Sequence, residues 1–280
     1  AGATLTIQPG TTVYLASGAN IVVANGGRLL AEGTDAARIR FTRTSGGSTW
    51  GSITINGAID SPETRLAYAH IEGNGATAIH SSSGTVFLDH LTFGSTDRPY
   101  LSLANSSFVV SDCMFPSATA QFELVHGNNG IKNGGRGLFL RNFFGVTLGY
   151  NDVVDFTGGN RPGPIVHFIN NVFAGATDDI LDLDGTDAWV EGNIFLHTHK
   201  NGSPDSASAV SGGDDSGQTS EITIIGNLFY DVDQAATAKQ GNFFALINNT
   251  IVHQTRLGGT DTDAAVVNFA DTGIPEAAGM

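Results

Sequence analysis

One motif, apolar-apolar-x-Asn-x-Phe, returns along this chain at a fixed distance and leaves few folds open to it. Its clearest copies are Phe168-Ile169-Asn170-Asn171-Val172-Phe173, Val190-Glu191-Gly192-Asn193-Ile194-Phe195, Ile224-Ile225-Gly226-Asn227-Leu228-Phe229 and Leu246-Ile247-Asn248-Asn249-Thr250-Ile251. The aligned asparagines, Asn171, Asn193, Asn227 and Asn249, are spaced by 22, 34 and 22 residues. Weaker copies lie upstream at Leu88-Asp89-His90-Leu91-Thr92-Phe93 and Val110-Ser111-Asp112-Cys113-Met114-Phe115, again 22 apart. A repeat of this length, filled with short β-type runs and Gly or Asn corners, is the mark of a solenoid whose units bury their apolar faces only by stacking.

Each coil of about 22 residues is expected to fold into about three short strands, with neighbouring coils paired in parallel about 4.8 Å apart. Like residues then stack into ladders. The asparagines would form an amide ladder at a turn, and Phe93, Phe115, Phe173, Phe195 and Phe229, continued by Ile251, an aromatic column inside. The expected fold class is all-β, a right-handed parallel β-helix occupying residues 1–280 as a single domain. Residues 1–60 form N-terminal coils and 196–220 an inserted loop, the 34-residue spacing being one coil plus about twelve residues.

Composition agrees. The 280 residues include 37 glycines and are 40% hydrophobic but only 14% charged, which suits strands and tight turns and argues against disorder. The net charge of −14 would repel a phosphate backbone, so nucleic acid is not an expected partner. An acidic polysaccharide is an acceptable partner only if a divalent cation or a basic patch bridges the two anions. With Cys113 the only cysteine, no intrachain disulfide can form, and Cys113 is expected to be a buried apolar residue. No apolar run reaches the length of a membrane-spanning helix. Neither end shows a signal peptide or a cap, so the chain is expected to belong to a longer secreted or cell-surface protein.

The segment from Leu5 through Ile55, with Gly26-Gly27-Arg28-Leu29-Leu30-Ala31-Glu32-Gly33-Thr34 and Trp50-Gly51-Ser52-Ile53, resembles the opening coils of secreted bacterial β-helix repeat proteins. The later Asn-x-Phe coils are similar to the pectate-lyase-like superfamily. Residues 178–251 also resemble β-helix segments of large bacterial surface proteins that carry CotH-like or lamin-tail domains. These resemblances imply the fold but leave activity open, because the superfamily includes lyases, hydrolases, adhesins and inert stalks.

Chemistry concentrates in Thr177-Asp178-Asp179-Ile180-Leu181-Asp182-Leu183-Asp184-Gly185-Thr186-Asp187, followed by Glu191. Alternation turns Leu181 and Leu183 inward and Asp182 and Asp184 outward, about 7 Å apart. Asp178, Asp179, Asp182 and Asp184 are the candidate ligands of Ca²⁺, a hard cation that would relieve their repulsion; the alternative is a solvated acidic face. The resemblance to lyases of this superfamily implies a Lys or Arg that removes the proton α to a uronate carboxylate. Lys200 is the candidate base and Lys239 the second choice.

His197 and His199 lie two apart and could bind a metal, but no third close ligand in the sequence fixes a zinc geometry. With Asp214 and Asp215 they stand as candidate substrate contacts in the inserted loop. Arg141 joins them from a thin basic group that also holds Lys132, Arg136 and Arg161. Two readings follow: a polysaccharide-contacting module acting as a Ca²⁺-dependent polysaccharide lyase, with glycoside hydrolysis the lesser enzymatic option, or a non-catalytic structural or adhesin segment.

Overall fold

The chain forms a parallel β-helix of about nine turns of roughly 26 residues, as seen in a computed structural model that describes residues 2–200, 207–252, 265–270 and 277–280. Among the described residues there is no helix, and hence none long and apolar enough to cross a membrane. One coil shows the plan. Val166–Ile169 lies in the first sheet, Val172–Phe173 in the second and Leu181–Asp182 in the third, and Ala188–Glu191 then returns to the first sheet beside Val166–Ile169. Every named strand pairing is parallel.

The corner between the first and second sheets explains the motif. His90, Asp112, Arg141, Asn170 and Asn248 have φ between 50° and 55°, and glycine takes the equivalent place at Gly192 and Gly226. This left-handed residue turns the chain at once, and Asn or Gly accepts it at least cost. The next residue points inward and is the ladder asparagine. Asn193 Oδ1 accepts the Asn171 backbone N–H at 2.8 Å and its Nδ2 at 3.0 Å, while Asn193 Nδ2 donates to Asn227 Oδ1 at 3.0 Å and to the Phe168 carbonyl at 2.8 Å. Asn249 repeats the pattern on Asn227.

The ladder starts one rung earlier than the motif suggests. Asn142 donates to Asn171 Oδ1 and accepts the Cys113 N–H, both at about 3 Å. Cys113 is buried at the same position one coil before and accepts the Leu91 N–H on sulfur at 3.4 Å. Burial pushes its thiol pKa up, in keeping with a small packed residue.

Two residues beyond each ladder position, the aromatic column runs Phe93, Phe115, Phe144, Phe173, Phe195, Phe229. Successive rings lie 4.7–5.2 Å apart, and all except the first pair are within 7° of parallel. The 22-residue spacing passes over Phe144 and Asn142, because that coil reads Phe139-Leu140-Arg141-Asn142-Phe143-Phe144 and its neighbours on both sides are 29 residues away. The basic register is therefore 22, and coils of 29 and 34 raise the average. The stretch 196–220 is likewise not one loop. Ile194–Thr198 and Ser208–Gly212 are strands of the second and third sheets, and residues 201–206 lie outside the described residues.

The outer faces differ in chemistry. The second sheet carries an apolar column of Met114, Phe143, Val172, Ile194 and Leu228. The third carries a polar one, His80, Ser102, His126, Asp155, Asp182, Ser211 and Thr237, one residue per coil.

Candidate functional site

The acidic residues gather where that polar column meets the corner leading into the third sheet. Asp152 precedes the strand Val154–Phe156, and Asp178 and Asp179 precede Leu181–Asp182 one coil on. Part of the grouping is structural. Asp152 Oδ1 accepts the Asp179 N–H at 2.9 Å, and Asp179 Oδ1 accepts the Ser208 N–H at 2.6 Å, so each carboxylate holds the entry of the next coil. One oxygen from each of Asp152, Asp178 and Asp179 lies within 4.8 Å of the others. Asp182 and Asp184 alternate with fully buried Leu181 and Leu183 and are only partly buried, yet each keeps a buried Oδ1 with no hydrogen-bond partner.

Crowding perturbs these groups strongly. Burial, followed by the charge of Asp179, raises Asp152 to about 10 and Asp182 to about 8; Asp184 is also raised, chiefly by burial. Asp178 rises for the same two reasons, with Lys200 opposing.

Both candidate lysines reach this cluster. Lys200 is buried, ion-paired with Asp178, and sets its Nζ 4.3 Å from the centre of the Tyr150 ring. Burial, the largest single influence, would lower its pKa, but the bonds to Asp178 and Tyr150 and the charges of Asp178 and Asp179 together outweigh it and hold the ammonium above the ordinary lysine range. Lys239 ends the third-sheet strand Gln234–Lys239. Burial opposes its charge as well, and Asp179, Asp182, Asp184 and Asp152 together raise it. Gly213 stands between Asp184 and Lys239 in the outward column, and a Cβ there would meet Asp184 Oδ1. Gln240 Oε1 lies on its other side, and a glycine keeps the space between the two side chains open.

On the preceding coil His126 extends the polar face. Its Nδ1 lies 2.8 Å from Glu123 and 3.2 Å from Asp155, and these bonds, Asp155 first, push its pKa up to about 10. His126 is therefore an imidazolium at neutral pH beside the acidic patch. No local pattern along the chain marks Asp152, Asp155 or His126 as neighbours of Asp182. Only the coil register places them there.

The remaining candidates are dispersed. Arg141 sits at the first corner and is bidentate on Asp112, at 2.9 and 2.6 Å. Arg161 pairs with Asp187, while Lys132 Nζ donates to the Ala58 and Ser83 carbonyls and to Thr85 Oγ1. No common basic surface joins these three. Asp214 and Asp215 follow the strand Ser208–Gly212 in a turn closed by the Asp215 and Gln218 backbones, whose two hydrogen bonds are 2.9 and 3.0 Å. His197 and His199 lie at the far end of the second sheet, next to Lys200 but facing Asp231.

No protein-family profile and no curated protein matches the chain. Among solved structures, the crystal structure of Dettilon tailspike protein (gp208) is similar, at 13% sequence identity and a TM-score of 0.34 over 90% of this chain. The present chain covers 61% of that protein.

Proposed function

We propose that the outer face of the third sheet is a polysaccharide-contacting groove of an extracellular β-helix, with a Ca²⁺-dependent centre formed by Asp152, Asp178, Asp179, Asp182 and Asp184. The observation that carries this reading is the convergence of those five carboxylates with Lys200 and Lys239 around one partly buried corner of the third sheet. Burial and mutual repulsion hold Asp152 and Asp182 protonated at neutral pH, a repulsion that a bound divalent cation would relieve, and the Oδ1 atoms of Asp182 and Asp184 lack partners. A hard cation with a preference for oxygen suits such a donor set. From His80 to Asp182 the polar column gives a linear glycan a track with one side chain about every 4.8 Å, ending where Ser211 and Thr237 are buried.

The chemistry that best fits the groove is β-elimination on a uronate. When bound, the cation would polarise the substrate carboxylate and balance the negative charge that now holds both lysines protonated. Lys200 and Lys239 would then have less reason to retain their protons, and either would be the base for the α-proton. Lys239, standing among four of the aspartates, is the better placed; Lys200 is committed to Asp178. His126, as an imidazolium two coils from Asp182, would attract an anionic sugar.

A second reading has its own support. The hydrogen bonds from Asp179 N–H to Asp152 and from Ser208 N–H to Asp179 are structural in their own right, as a non-catalytic module would have them. Incubation with a panel of uronate polysaccharides, with Ca²⁺ or with chelator, separates the two. The lyase reading expects the ultraviolet absorbance of unsaturated uronate, dependent on Ca²⁺ and lost in Lys239→Ala or Lys200→Ala. Absence of turnover on every substrate by folded protein, with glycan retention intact, leaves the binding module; absence of both removes the proposal.

A further inference from the structure

The geometry points to a second metal site, distinct from the aspartate cluster: His197, His199 and Asp231 form a binding site for a divalent transition cation of the Zn²⁺ type. The sequence lacked a third ligand near the two histidines, and the solenoid supplies it. Leu196 pairs with Tyr230 and Thr198 with Val232, which sets His197 directly beside Asp231 although 34 residues separate them. Both residues have a left-handed backbone, with φ of 47° and 58°.

Asp231 Oδ2 lies 2.7 Å from His197 Nδ1 and 3.4 Å from His199 Nε2, and one donor atom from each of the three residues falls within 4.8 Å of the others. Two imidazoles and a carboxylate at this separation are a donor set for Zn²⁺ and its neighbours rather than for an all-oxygen cation. His197 is 54% exposed, so the site reaches the protein surface.

The support behind His199 is what separates this trio from a chance surface cluster. Its Nδ1 donates to Asp233 Oδ1 at 2.9 Å, and Asp233 is fully buried. The other Asp233 oxygen accepts the backbone N–H groups of Lys200 and Ala207, at 3.2 and 3.3 Å. The carboxylate is thereby fixed, the proton of His199 is placed on Nδ1, and the Nε2 lone pair is turned toward Asp231. A buried carboxylate that sets the tautomer and orientation of an imidazole is the usual backing of a metal-binding histidine.

The test is calorimetric titration of chelator-treated full chain with Zn²⁺, repeated with Co²⁺ to read the visible spectrum of the bound ion. One tight equivalent is expected, with Co²⁺ bands of four- or five-coordinate nitrogen and oxygen ligation. His197→Ala and Asp231→Ala should each abolish the tight equivalent, and Asp233→Asn should weaken it by about 10–100-fold. Asp179→Asn and His126→Ala should leave it unchanged, which separates this site from the proposed Ca²⁺ centre and from the other histidine–carboxylate groups. Circular dichroism and melting temperature establish that each variant is folded. No tight equivalent in the parent chain, or equal affinity in folded His197→Ala and Asp231→Ala, would overturn the assignment.

Discussion

Replacing Asn193 by alanine tests the amide ladder where water has least access. Asn193 is 1% exposed and its side chain takes part in four hydrogen bonds. After truncation, Asn171 Nδ2 still donates to the Phe139 carbonyl, and Asn227 Oδ1 still accepts the Asn193 N–H. The Asn171 N–H, in contrast, loses its acceptor inside a fully buried corner, and the Phe168 carbonyl loses a donor. A buried orphaned donor costs roughly 1–3 kcal/mol, and the second lost bond adds about 1 kcal/mol, giving about 2–4 kcal/mol in all. Asn249 makes bonds of the same length but is only partly buried, so water can replace much of what its truncation removes, and about 1 kcal/mol is expected there. Urea unfolding followed by circular dichroism gives the global figure. Amide exchange at Asn171 gives the local one, and protection should fall by a factor of roughly 30 to 1,000, at about 1.4 kcal/mol per decade. A loss below about 0.5 kcal/mol at Asn193, or equal losses at the two positions, would refute the claim that buried rungs carry the corner.

Other expectations concern the column and the charged groove. Phe144→Ala should cost about 3–5 kcal/mol in the same urea assay, because the ring is fully buried between Phe115 and Phe173. The carboxyl of Asp182 is raised to about 8, so its contribution is fully present below the unfolded carboxylate range near 4 and is lost as pH rises through 8. His126, raised to about 10, contributes fully below about 6.5 and loses that contribution as pH climbs through 10. Melting temperature should therefore decline from mildly acidic to alkaline pH, with Asp182→Asn flattening the lower part of the fall and His126→Gln the upper. Added Ca²⁺ should raise the melting temperature at pH 8, by less in Asp182→Asn; an equal rise in both would separate the cation from this cluster. Gly213→Val should displace Asp184 or Gln240 and reduce the Ca²⁺ response, a change read in the same melts.

Most of the fold was legible because ladders repeat the same residue in the same place. Asn171, Asn193, Asn227 and Asn249 advertise one register, and the phenylalanines two residues later confirm it. Asn142 and Phe144 escaped notice for a physical reason: loops leave the solenoid without disturbing its core, so the spacing on either side grew to 29 while the rung stayed unchanged. The site was legible only along the chain. Alternation placed Asp182 and Asp184 outward, but what faces them is set across coils, where Asp155 comes from 27 residues before and Lys239 from two coils after. His197 and His199 show the same limit, since Asp231 is their neighbour only through strand pairing.

The 34-residue coil between Asn193 and Asn227 joins its rungs at 2.8 and 3.0 Å, the same distances as the 22-residue coil between Asn171 and Asn193. Extra chain at the corners is thus invisible to the core. Loop length and loop chemistry can drift, or be grafted from one coil to another, with the frame unaware of the exchange. A protein built this way separates two problems that most folds must solve together. Its interior obeys a ruler, and its exterior is free to vary between rulings, so that new binding chemistry can arise without a new fold to hold it.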